Sequence, residues 1–178
     1  MRKLLNEELG RIDAKQALNA DKNPFVIVLD NIRSMHNVGS AFRTADAFLC
    51  EKVVLCGITA KPPHREIHKT ALGATDSVVW EYYESTLDAI NSLKEEGYTI
   101  ISIEQADESI SLEKYEVDSN GKLALIFGNE VKGVGDEIVE NSDFVIEIPQ
   151  FGAKHSINVS VSIGVVVWDL ISKLKFKN

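Results

Sequence analysis

Apolar residues in this chain come in short runs separated by polar loops or by helical spacing. Phe25 to Leu29 is a continuous apolar run, which suits a strand buried on both faces. Further strands are predicted at Val53–Cys56, Ser77–Tyr82, Tyr98–Ile103, Leu123–Phe127 and Phe144–Ile148. Between them the period changes. Asn37 can cap a helix to about Phe48 with Ala41, Ala45 and Phe48 on one face. Leu87, Ile90 and Leu93 mark a helix from Thr86 to Glu96, stopped by Gly97. A short helix is expected over 136–141. Residues 3–19 read as an amphipathic helix, with Leu4, Leu5, Leu9, Ile12 and Leu18 roughly on one side, broken at Asn23-Pro24. Thr59 to His68, with Pro62-Pro63, reads as a loop with a helical turn after it, and 104–121 is acidic and irregular. Strands alternating with helices imply an α/β fold, a mostly parallel sheet with helices on both faces.

The stretch after Ser156 is ambiguous. Val159, Val161, Ile163, Val165 and Val167 alternate with Ser160, Ser162 and Gly164, as in a strand rich in β-branched residues. Ile157, Val161, Val165, Trp168 and Ile171 also make a helical stripe. The pattern supports both.

With 178 residues, one domain is the default. We expect an N-terminal helical extension over 1–22 and a single α/β domain over 23–178. Two cysteines, Cys50 and Cys56, suggest no disulfide framework and no metal site, and fit a reducing cytoplasm. Charges interrupt the N-terminus, so it is not a signal peptide, and no run approaches the roughly 20 apolar residues of a membrane span. The net charge of −8 argues against a non-specific nucleic-acid binder but permits one local basic patch.

Three loops carry chemistry. In the first, Asp30 to Arg43, Asn37-Val38-Gly39 opens a helix and Arg43 follows in its second turn. A guanidinium there can hold a phosphate or carboxylate through paired hydrogen bonds, and it reads equally as a solvated arginine on a capped helix. The second, Gly128 to Gly135, follows a strand. Its glycines let a ligand approach main-chain groups, or simply make a turn. It lacks the Gly-Lys-Ser/Thr of a phosphate loop, and Ile138 holds the third glycine position of a dinucleotide fingerprint. In the third, Gln150 to Asn158, Ser156 and Asn158 stand beside an apolar wall, and Ser156 could equally be a helix N-cap.

Together the segments LDNIRSMHNVGSAFRTADAF, LIFGNEVKGVGDEI and IEIPQFGAKHSINVSVSIGVVVWDL resemble the SpoU family, the TrmH-like branch of the SPOUT RNA methyltransferases. The resemblance spans about residues 25–172. It implies a SPOUT-type α/β domain with a deep C-terminal trefoil knot, helix from about Ser156 onward, and a homodimer with each active site near the subunit boundary. The implied reaction moves a methyl group from S-adenosylmethionine to a ribose 2′-hydroxyl of RNA, leaving S-adenosylhomocysteine. A non-catalytic knotted protein that binds cofactor or RNA is the alternative.

The resemblance assigns cofactor binding to Phe127, Gly128, Asn129, Gly133, Ile148, Pro149, Gln150, Ile157 and Asn158, largely through main-chain groups and apolar walls. It assigns catalysis to Arg43, with Asn37, Glu130, Ser156 and Asn158 completing the site. Arginine stays protonated in proteins, so Arg43 is expected to orient a phosphate and stabilise charge on the ribose oxygen rather than act as a base. Arg33, Arg65 and Lys154 are expected to join Arg43 in facing RNA. About 22 residues precede the first strand, where many family members carry an RNA-binding domain. A compact target is therefore expected, tRNA ahead of rRNA, with no metal and no membrane involved.

Overall fold

Asn23–Asp30 (β1) is buried at all positions but one. It lies between two parallel partners, Cys50–Cys56 (β2) and Lys122–Phe127 (β6). The computed structural model describes residues 1–176. Val79–Tyr83 (β3), Tyr98–Ile103 (β4), Ile110–Ser111 (β5) and Phe144–Glu147 (β7) complete one seven-stranded sheet in the order β3-β2-β1-β6-β4-β7-β5. Its described pairings are all parallel. The side-chain period of two then sorts the core. Phe25, Ile27, Leu29, Leu125 and Phe127 point to one face, and Val26, Val28, Ala124 and Ile126 to the other.

The first face is covered by Met35–Ala47 (α2), Arg65–Ala71 (α3) and Val159–Phe176 (α6). The second is covered by Thr86–Glu95 (α4) and Asp136–Glu140 (α5). Cys50 and Cys56 are free and buried. Among the described residues no helix is long and apolar enough to cross a membrane.

Several expectations need correction. Residues 3–19 do not form one amphipathic helix. A 3-10 turn at Asn6–Leu9 ends where Gly10 turns left-handed. Asp13 then starts a separate helix, Ala14–Asn19 (α1), by accepting the Gln16 amide while the Gln16 side chain accepts the Asp13 amide. Leu4, Leu5, Leu9, Ile12 and Leu18 are all exposed. The third strand starts at Val79, after a 3-10 turn at Ala74–Asp76. The expected Thr59–His68 loop gives way to helix at Arg65, and 104–121 includes the edge strand β5.

After Ser156 the chain is helical, beginning at Val159. Asn158 holds the helix start: its Oδ1 accepts the Ser160 amide at 2.8 Å. The buried face of α6 is Val159, Ile163, Val166, Val167, Leu170 and Ile171. Most of the expected stripe, Ile157, Val161, Val165 and Trp168, is instead exposed.

Candidate active site

The C-terminal ends of β1, β6, β4 and β7 lie side by side, so the loops that follow them meet there. The loop after β1 is pinned from below. Thr59 Oγ1 accepts the Ile32 amide at 2.9 Å and donates to the Leu29 carbonyl at 3.1 Å. Ser34, not Asn37, caps α2 by accepting the Asn37 amide. Asn37 therefore sits inside the helix, with its side chain turned toward the other two loops.

Glu130 joins these loops. Its Oε2 accepts the Arg33 amide at 2.9 Å, and its Oε1 accepts the Ser34 amide at 3.0 Å and Asn37 Nδ2 at 2.9 Å. A carboxylate at a helix start meets unpaired main-chain N–H groups, where negative charge is favoured. Burial alone would raise the Glu130 carboxyl. The hydrogen bonds from Arg33, Asn37, its own amide and Ser34 outweigh that and hold it below the usual carboxylate range. Asn37 Oδ1 in turn accepts Asn158 Nδ2 at 3.3 Å. Glu130, Asn37 and Asn158 thus form one polar chain across three segments that are 93 and 121 residues apart in sequence.

The loop after β6 is closed on itself. Asn129 and Gly133 exchange two main-chain hydrogen bonds, and Asn129 Nδ2 donates to the Asn31 carbonyl at 2.7 Å. A Cβ on Gly128 would come within 2.1 Å of the Gly133 and Val134 main chain, so only glycine permits this fold-back. Opposite, Gln105 Nε2 donates to the His155 carbonyl at 2.9 Å and ties the loop after β7 to the end of β4.

The loops after β4, β6 and β7 line a cavity of about 800 Å³, within the size range of small-molecule sites. The loop after β1, with Asn37, lies beside it rather than in its wall. Phe127, Gly128, Asn129, Glu130, Gly133, Ile148, Gln150, Ser156, Ile157 and Asn158 all line it. Pro149, Arg33, Arg65 and Lys154 are exposed and do not. Nor does Arg43, which is exposed on α2. Six residues of helix place it roughly 120° round the axis from Asn37, on the side of Ser40 and His36. Gly39 has a packing role: a Cβ there would meet Thr70 Oγ1 at 2.1 Å and the Ile67 carbonyl at 2.3 Å, where α2 crosses α3.

Sequence reasoning missed Glu104, Gln105 and Val134, which also line the cavity. Glu104 had been absorbed into an irregular acidic segment. Its place directly after a strand was the available signal.

A parallel sheet with helices on both faces and a cavity at its strand ends defines an α/β protein of the kind that places binding sites there. The crystal structure of the A. aeolicus TrmH/SpoU tRNA modifying enzyme superposes with a TM-score of 0.78 at 25% identity, over 90% of this chain and 80% of that one. Residues 24–168 match the SpoU rRNA Methylase family, and the chain belongs to that family. A tRNA/rRNA methyltransferase of Borreliella burgdorferi, named as uncharacterised, is 34% identical over 86% of this chain and 66% of its own length. The 23S rRNA (guanosine-2′-O-)-methyltransferase RlmB of Neisseria meningitidis serogroup B is 31% identical over 90% of this chain and 63% of its own. The chain thus spans a little under two thirds of the length of these two relatives.

Proposed function

We propose that this protein transfers a methyl group from S-adenosylmethionine to a ribose 2′-hydroxyl of RNA, with tRNA as the substrate. The observation that carries the reading is the Glu130–Asn37–Asn158 hydrogen-bonded chain beside the cavity. Family membership supports the reaction, and the A. aeolicus neighbour, described as a tRNA modifying enzyme, is the relative that motivates tRNA.

The residues present fit the cofactor. Gly128 and Gly133 make part of the wall from main chain, which offers hydrogen bonds to the edge of a ring. Phe127, Ile148 and Ile157 supply apolar surface for adenine. When bound, S-adenosylmethionine supplies a methyl group made electrophilic by the adjoining sulfonium. The protein's task is to hold the ribose oxygen in line and to stabilise the charge it gains as its proton leaves. Glu130 fixes the loops, Asn37 and Asn158 set the polar edge, and Ser156 adds a hydroxyl. Arg43 orients the neighbouring phosphate and stabilises the ribose oxygen. Arg33, Arg65 and Lys154 engage RNA around it.

The reading includes a homodimer with each site at the subunit boundary. Val161, Val165 and Trp168 leave an apolar strip on α6, extended by Phe48 and Phe176 at 5.9 and 6.2 Å from the Trp168 ring. An exposed strip of this kind suits a self-complementary interface. The trefoil knot belongs to the same reading. In the same sheet β6 inserts between β1 and β4, and α6 returns to the face of α2.

Incubating the protein with tRNA and methyl-labelled S-adenosylmethionine, then digesting to nucleosides, tests the reaction. Label in a 2′-O-methylnucleoside is expected. Label on a base, or transfer to no RNA, contradicts it.

A further inference from the structure

Glu104 immediately follows β4, and the strand register sets Ile103 beside Phe127 of β6. The carboxylate therefore emerges next to Gly128, on the strand adjacent to the glycine loop. It is half-buried and lines the cavity. Each of its oxygens holds one main-chain amide: Oε2 accepts Val134 N–H at 2.9 Å and Oε1 accepts Gln105 N–H at 2.9 Å. A carboxylate has about four acceptor positions, so two remain. Among the described residues no Lys, Arg or His forms an ion pair with it. The loop makes room for it as well, because a Cβ on Gly133 would meet Oε2 at 2.2 Å. Glu130 also lines the cavity, but three donors from the protein already engage it.

We propose that Glu104 is the specificity-determining residue for the nucleoside half of the cofactor, its carboxylate accepting hydrogen bonds from the vicinal ribose hydroxyls. A half-buried carboxylate without a cation favours a ligand that brings donors. Two amides hold its plane fixed, and a vicinal diol presents two donors at matching spacing. Dinucleotide-binding sheets use the same arrangement, with a carboxylate near the glycine loop taking ribose hydroxyls. This inference rests on reading the cavity as the S-adenosylmethionine site.

Titration calorimetry tests it with four probes: S-adenosylhomocysteine, its 2′-deoxy and 3′-deoxy forms, and 5′-methylthioadenosine. The native protein should bind S-adenosylhomocysteine roughly tenfold to a hundredfold more tightly than a deoxy form, the range for a hydrogen bond to a charged group. Glu104→Gln should weaken S-adenosylhomocysteine by a similar factor and distinguish the deoxy forms by less than about threefold. The glutamine keeps an oxygen for the Val134 amide, and the ratio between probes cancels any general loosening of the loop. The same loss should appear with 5′-methylthioadenosine, which keeps the ribose and lacks the amino acid. Unchanged discrimination in Glu104→Gln overturns the proposal while leaving the cavity assignment standing. So does a loss confined to probes carrying the amino acid, which would place the carboxylate on the ammonium. If the native protein binds none of the four, the cavity assignment falls and takes the proposal with it.

Discussion

Glu130 is the residue on which the site geometry turns, since it accepts the Arg33 and Ser34 amides just before α2 and the side chain of Asn37. Its carboxyl is held below its ordinary value, so its charged form is favoured by folding. That contribution is complete above the unfolded value, about 4.3, and disappears as pH falls through the lower folded value. The gap in urea midpoint between the native protein and Glu130→Gln should be widest above the unfolded value and close as pH falls below it. A gap independent of pH would mean that the carboxylate charge is not what stabilises the loops. In the proposed mechanism Arg43 acts on substrate only. Arg43→Ala should lower methyl transfer by about a hundredfold or more, the scale of losing a charge-stabilising donor, with S-adenosylhomocysteine affinity within about twofold of native. Turnover unchanged in that variant would remove Arg43 from the mechanism. Asn37, Glu130 and Asn158 were legible as residue types at motif spacing. Their mutual hydrogen bonds were not, because a sequence does not show which side of a helix faces which loop. Glu104 was hidden by acidic neighbours that are solvent-exposed, Asp107 and Glu108 among them.

At the scale of elements, continuous apolar runs identified the parallel strands, because a strand covered on both faces has no polar side to alternate with. The same logic misled at α6. Its inner face, Val159 to Ile171, and its outer strip, Val161 to Trp168, are both apolar, so periodicity could not tell which one meets the sheet. At the N-terminus the leucines suggested a stripe, but the helix breaks at Gly10 and restarts at Asp13. Gly39 shows how one missing side chain sets an element's position. Gly39→Ala should destabilise the fold by about 1–3 kcal/mol, the usual cost of overpacking, read as a lower denaturation midpoint. Thr70→Ala should restore only part of it, since the Ile67 carbonyl still stands 2.3 Å from the new atom. Full stability in Gly39→Ala would show that α2 and α3 can separate freely.

For the whole molecule, the proposed action on RNA requires an acidic chain to concentrate its cations, and Arg33, Arg43, Arg65 and Lys154 are all exposed. The apolar strip on α6 sits on the helix that also packs against α2, the helix carrying Arg43. Trp168→Glu should convert a native dimer to monomer in sedimentation velocity, and a native protein that is monomeric at all concentrations would refute the interface. The central claim is that three segments distant in sequence build one cofactor cavity. Hydrogen–deuterium exchange with and without S-adenosylhomocysteine tests it most directly. The account predicts added protection together in residues 103–106, 128–135 and 148–159. Protection in only one of these stretches, or around Tyr115 and Phe144 at the far end of the sheet, would contradict it.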